Sequence, residues 1–212
     1  GAPRLLSVSG LTIEEFVECF RIIEPESHGI ELNISSPNTK GLQIFHEPDT
    51  FRELLNRINQ VRRTPVFVKI PPYFDNDYRE QVMELVVISK ELGINGITAT
   101  NTKPIQEPKL NVGKGGLSGK PLFADTLRIV QDVRETIGNA MSINACGGIS
   151  TSAEVVQLLS AGANTVQLYT GLVYEGPSIA KRINKGLSKY LSQHELASIK
   201  RIGLVNESTN PS

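Results

Sequence analysis

Ile30-Glu31-Leu32-Asn33-Ile34-Ser35-Ser36-Pro37-Asn38-Thr39-Lys40-Gly41-Leu42 decides the fold. Apolar side chains alternate at Ile30, Leu32 and Ile34 and then stop at two serines, a proline and an asparagine. That is how a buried strand reads where it runs out into a polar loop. Asn33, Ser36 and Asn38 can each hold a polar ligand, and they sit where this strand ends. In a parallel α/β protein that end is the ligand end, because the loops there are free to vary while the sheet fixes their roots. Ser-Pro-Asn-Thr alone is also the composition of a simple turn, so its meaning depends on what the rest of the chain places beside it.

The flanking chain repeats one unit. Leu5 to Gly10 reads as a strand, and Thr12-Ile13-Glu14-Glu15 opens a helix with a capping threonine and an acidic first turn, running through Phe16, Cys19, Phe20 and Ile23. Beyond the quoted stretch, Pro48-Asp49-Thr50 starts a helix with Phe51, Leu54, Leu55, Ile58 and Val61 on one face. Val66 to Ile70 is apolar almost throughout, as a parallel strand covered on both faces should be, and Lys69 is its anomaly. A helix from Tyr78 to Leu92 closed by Gly93, then a strand from Ile94 to Thr102, complete another unit. Lys103 to Pro121 is too polar and glycine-rich for core and reads as a functional loop. A helix from Thr126 to Ile137, a strand from Met141 to Cys146, a helix from Ser152 to Ala161 closed by Gly162, a strand from Thr165 to Thr170 and a helix from Ile179 to Leu191 follow. Six strand-helix units of this length predict a parallel sheet, open or closed into a barrel, in one domain over residues 1–212.

Composition narrows the function. In 212 residues, 22 basic side chains balance 22 acidic ones, so no long-range field draws the chain to nucleic acid or to an anionic membrane. Any bound anion is expected to be held by local geometry. Cys19 and Cys146 are far apart and lack a CxxC partner, His or carboxylate at ligand spacing, which predicts neither disulfide nor metal site and suits a reducing compartment. No apolar run reaches the ~20 residues of a membrane span. His28, His46 and His194 stand away from Ser36 and no GxSxG elbow exists, so a serine hydrolase is not supported and the histidines read as surface residues.

Polar groups recur at the same end of every strand: Asn33, Ser36 and Asn38; Lys69; Thr100, Asn101 and Thr102; Gly147 and Gly148; Tyr169 and Thr170. A buried lysine needs a counter-charge or a path to water. Cys-Gly-Gly-Ile-Ser-Thr leading into a helix is a phosphate signal, since glycines let backbone N–H groups approach an anion. In a barrel, phosphate sits between the loops after the last two strands, here Gly147-Gly148 and Tyr169-Thr170.

Together, Asn33 to Thr39, Val68-Lys69-Ile70-Pro71-Pro72, Thr100-Asn101-Thr102, Gly115 to Leu122, Cys146 to Ile149 and Gln167 to Thr170 resemble dihydroorotate dehydrogenases over roughly Leu6 to Leu191. The resemblance implies a (β/α)8 TIM barrel with FMN at its mouth that oxidises dihydroorotate to orotate in pyrimidine biosynthesis. By position, Ser36 would be the general base. Asn33, Asn38, Asn101 and Thr102 would hold the pyrimidine, with Asn33 also beside FMN. Lys69 would sit at the N1 and O2 edge of the flavin, Thr100, Ser118 and Gly119 would border it, and Gly147, Gly148, Tyr169 and Thr170 would bind its phosphate. Serine where other branches carry cysteine resembles class 2, which is membrane-associated and passes electrons to quinone, and Gly-Leu-Ser-Gly-Lys-Pro-Leu agrees. Ile-Pro-Pro-Tyr-Phe-Asp is closer to the fumarate-using class 1A. By this resemblance the protein is cytoplasmic, peripheral on the inner membrane through a segment that this chain lacks. The family barrel has eight strands and this chain starts at the third, so a fragment, or completion by another chain, is expected. Another FMN barrel acting on a pyrimidine and an incomplete, non-catalytic phosphate-binding barrel remain the alternatives.

Overall fold

A computed structural model describes residues 1–36, 39 and 41–203. Its strands are β1 (Leu5–Val8), β2 (Gly29–Asn33), β3 (Val66–Lys69), β4 (Gly96–Ala99), a hairpin of β5 (Lys103–Gln106) and β6 (Lys114–Leu117), β7 (Ser142–Cys146) and β8 (Thr165–Gln167). Six of them form one parallel sheet in the order β1-β2-β3-β4-β7-β8, and the hairpin pairs only with itself, antiparallel. Helices α1 (Ile13–Ile23), α2 (Pro48–Val61), α3 (Asn76–Glu91), α4 (Phe123–Ile137), α5 (Ser152–Ser160), α6 (Thr170–Glu175) and α7 (Ile179–Gln193) follow the strands.

Alternation along the strands makes two unlike faces. Ile30, Leu32, Val66, Val68, Ile97, Ala99, Ile143 and Ala145 are fully buried beneath the helices. Phe51, Leu54, Leu55 and Ile58 of α2 are also fully buried, and side chains of this kind each contribute about 1.5–3 kcal/mol when removed from water. The opposite face is polar: Ser7 donates to Glu31, Asn144 to Thr98, and Thr165 to Asn144. Gln167 Nε2 lies 3.5 Å from Glu31 Oε2 although β8 and β2 are four places apart. Strands in a flat sheet would separate them by roughly 19 Å at ~4.8 Å per place. The sheet is therefore curled strongly about its polar face, as part of a (β/α)8 barrel. Strands β1 and β8 do not pair with each other, and each leaves one edge free among the described residues.

Helix starts are locally encoded. Thr12 accepts from Glu15 N, Asp75 from Tyr78 N, and Thr151 with Glu154 forms a reciprocal capping box. Three sequence expectations need correction. The segment Lys103 to Pro121 contains a hairpin, with Lys103 opposite Leu117 and Gln106 opposite Lys114. The last strand stops at Gln167, and Thr170 instead begins α6. The fourth strand is limited to Gly96–Ala99: Thr100 N makes a last bond to Cys146 O of β7 at 2.8 Å, and Asn101 and Thr102 lie beyond it. No helix among the described residues is long and apolar enough to cross a membrane.

Candidate active site

The carboxyl ends of β3, β4, β7 and β8 open onto one cavity of about 580 Å³, within the range of small-molecule sites. Lys69, Thr100, Asn101, Thr102, Ser118, Gly119, Gly147, Gly148, Tyr169 and Thr170 all line it. These are ten of the residues nominated from sequence, brought together from four loops.

Gly147 and Gly148 turn the chain out of β7 with φ of 137° and 73°. A Cβ on Gly148 would stand 2.4 Å from Phe123 N, so only glycine lets this turn rest on the first residue of α4. The backbone N–H groups of Gly147, Gly148, Tyr169 and Thr170 meet no acceptor among the described residues. Two loops that line the cavity thus carry backbone donors with no partner among the described residues. Thr170 Oγ1 donates to Ser118 Oγ at 3.0 Å, joining the last loop to the segment beyond the hairpin.

Lys69 is neither isolated nor reaching for solvent. Its side chain is 15% exposed, and Nζ lies 3.9 Å from Oε1 of Glu31, itself 5% exposed. Glu31 also accepts from Ser7 Oγ at 3.0 Å and from Gln167 Nε2. Sequence reasoning noted the lysine and passed over its partner, although a carboxylate inside the alternation of β2 is the same kind of anomaly. Cys146 shares this wall of the cavity. Burial pushes its thiol up, Lys69 pulls it down and Glu31 pushes it up again.

Asn33 and Ser36 do not line the cavity; Asn33 is the last residue of β2 and Ser36 stands in the loop leaving it. Asn101 Nδ2 ties that loop to the cavity by donating to Ser35 Oγ at 2.9 Å, and Ser35 in turn donates its N–H and Oγ to Asn33 Oδ1. Asn101 Oδ1 accepts from Thr102 N. Each amide has therefore committed its oxygen, and one N–H of Asn101, to holding the loops, leaving N–H donors for a ligand. Ser36 Oγ accepts from Thr39 Oγ1. Asn38, the remaining nominated residue, lies outside the described residues.

His46 corrects the reading of the histidines as surface groups. Its Nε2 faces the Ile34 carbonyl at 2.9 Å and must therefore carry the proton, while Nδ1 accepts from the Tyr78 hydroxyl at 3.2 Å. Burial holds its pKa below the ordinary 6.5. The ring thus pins the loop two residues before Ser36 to α3.

The chain matches the family model for dihydroorotate dehydrogenase over residues 2–191. It is 37% identical over 209 residues to the dihydroorotate dehydrogenase (quinone) of Trichodesmium erythraeum, covering 91% of this chain and 54% of that protein. The corresponding protein of Chloroflexus aurantiacus is 36% identical over 191 residues, 82% of this chain and 52% of that one. Among solved structures, DHODH from Eimeria tenella in complex with ferulenol superposes with a TM-score of 0.81 at 27% identity, over 92% of this chain and 58% of its own. The chain spans about half the length of the curated relatives it matches. With the family motifs converging on one cavity at the mouth of a curled parallel sheet, this chain belongs to the dihydroorotate dehydrogenase family.

Proposed function

We propose that this chain serves in the FMN-dependent oxidation of (S)-dihydroorotate to orotate, in pyrimidine biosynthesis, with quinone as electron acceptor. The observation that carries the reading is the cavity itself, lined by a largely buried lysine and by two loops that carry unpaired N–H donors. That donor set fits FMN: Gly147, Gly148, Tyr169 and Thr170 suit a phosphate, Thr100, Ser118 and Gly119 border the ring, and Lys69 suits the edge where negative charge gathers. When bound, FMN accepts the hydride leaving carbon 6 of dihydroorotate. Ser36 takes the proton from carbon 5 once its own hydroxyl proton has passed to solvent, and the Thr39 hydroxyl, donating to Ser36 Oγ, stabilises the alkoxide so formed. The N–H donors of Asn33 and Asn101, with Thr102 and Asn38, hold the pyrimidine.

The quinone reading is supported by the relatives, which are named dihydroorotate dehydrogenase (quinone). A fumarate acceptor has only the Ile70 to Asp75 loop in its favour. A quinone acceptor in turn suits a cytoplasmic protein peripheral on the inner membrane. The free edges of β1 and β8 favour completion of the barrel by two further strands, from a longer chain or a partner.

The test is to add FMN to the purified protein with its barrel completed by the two further strands, follow quenching of flavin fluorescence, and assay dihydroorotate with a soluble quinone or with fumarate. Bound flavin reduced by dihydroorotate and reoxidised faster by quinone is expected. Reduction by dihydrouracil in preference to dihydroorotate would overturn the substrate, and faster reoxidation by fumarate would overturn the acceptor.

A further inference from the structure

We propose that Glu31 is a positioning residue of this site: a buried carboxylate that anchors the Lys69 ammonium and the Gln167 amide and moderates the positive charge Lys69 presents to a bound ligand. The ligand's identity as FMN rests on the function proposed above; the linkage between the three side chains does not.

Strand register sets the arrangement. Asn33 pairs with Lys69 and Glu31 with Phe67, so Glu31 and Lys69 are diagonal neighbours on the polar face, within reach of two long side chains. Lys69 and Gln167 line the cavity and Glu31 does not. The carboxylate therefore lies beneath the donors and acts on a ligand only through them. A buried acid of this kind is not explained by stability, because an apolar side chain in its place is often as good. Its three partners, Ser7, Lys69 and Gln167, come from strands at the two ends and the middle of the sheet. Glu31 thereby joins β1, β3 and β8 around the polar face. A negative charge 3.9 Å from Nζ also reduces the field that Lys69 exerts on anything above it.

Cys146 supplies a reporter that needs no cofactor. It lines the same cavity, opposite Gln167 in the ladder, and its thiol feels Lys69 and Glu31 with opposite signs. In a Cys19→Ser background, the rate of Cys146 alkylation by iodoacetamide is measured against pH. Glu31→Gln should shift the midpoint downward and raise the rate at neutral pH by on the order of tenfold, the scale of one pKa unit. Lys69→Gln should shift it upward. Glu31→Asp, which keeps the charge, should shift it by less than Glu31→Gln, and this variant with Lys69→Gln decides the matter should Glu31→Gln not fold. With FMN bound, Glu31→Gln should raise the flavin midpoint potential, and a Lys69→Gln background should abolish that rise.

A Cys146 profile indifferent to Glu31→Gln in a folded protein, or a potential that rises equally with Lys69 replaced, would overturn the proposal. A wild-type protein that binds no FMN even with its barrel completed would instead overturn the cofactor reading, while the thiol measurement still decides the role of Glu31.

Discussion

The Thr39 hydroxyl donates to Ser36 Oγ at 2.9 Å, so the serine assigned as base carries a hydrogen bond that strengthens when its hydroxyl gives up its proton and the oxygen becomes negative. Ser36→Ala should slow flavin reduction by dihydroorotate by about 10²–10⁴-fold with FMN retained, the range for loss of a general base. Thr39→Val should cost less, about 10-fold to 100-fold, the scale of one hydrogen bond to a charged group. Stopped-flow reduction of the flavin-loaded protein measures both, and equal rates for wild type and Ser36→Ala would remove Ser36 from that role.

His46 makes loop stability depend on pH. Its folded pKa lies below 6.5, so the unfolded chain binds the proton more readily. The contribution is complete above pH 6.5 and is lost as pH falls from there through the lower folded value. Denaturant melts between pH 7.5 and 5 should show this loss, and His46→Gln, which keeps a donor for Ile34 O but does not titrate, should flatten the slope.

Asp132 clamps the loop after β3 to α4. Buried Tyr73 donates its hydroxyl to Asp132, Arg79 Nε donates to the same oxygen at 2.9 Å, and Arg128 caps the Tyr73 carbonyl. Burial alone would raise the Asp132 carboxyl, but these hydrogen bonds and the two guanidinium charges bring it below its ordinary 3.8. Its stabilisation is present above pH 3.8 and is lost on further acidification. Asp132→Asn should destabilise the fold by about 1–3 kcal/mol at neutral pH and leave it less sensitive to acid. An unchanged urea midpoint at pH 7 would show that the clamp carries no stability.

The free edges of β1 and β8, with Leu172, Val173 and Tyr174 exposed on α6, should make the isolated chain associate. Sedimentation velocity should show species above 23 kDa growing with concentration, and a lysine at the exposed edge residue Leu5 should suppress them. A monomer across the whole concentration range would mean that the edges are already protected.

The strands were legible from their apolar residues: Ile30, Leu32 and Ile34 leave a period of two, while Val66 to Ile70 reads as an apolar run whose alternation, with Val66 and Val68 buried and Lys69 on the polar face, emerges only in the sheet. The polar ends of those strands were legible for the same reason, and ten nominated residues share the cavity. Strand β6 was not, since Lys-Gly-Gly-Leu carries no alternation and its pairing with β5 is set by register alone. Thr170 looked like the end of a strand because nothing local distinguishes it from Gln167. The partner of Lys69 was hidden for a different reason: a contact between Glu31 and Lys69 exists only once β2 and β3 are placed side by side, and Gln167 joins them only once the sheet curls.

The hairpin between Thr102 and Ser118 bonds to itself and to no strand of the parallel sheet, yet the residues at its two roots line the cavity. The parallel ladders therefore draw no hydrogen bond from it, while close packing constrains the hairpin itself: a Cβ on Gly116 would stand 2.3 Å from Thr102 Oγ1. Its tip, Glu107 to Val112, is thus the part whose length can change without breaking a parallel ladder, so what reaches the cavity can be altered there while the scaffold beneath stays the same.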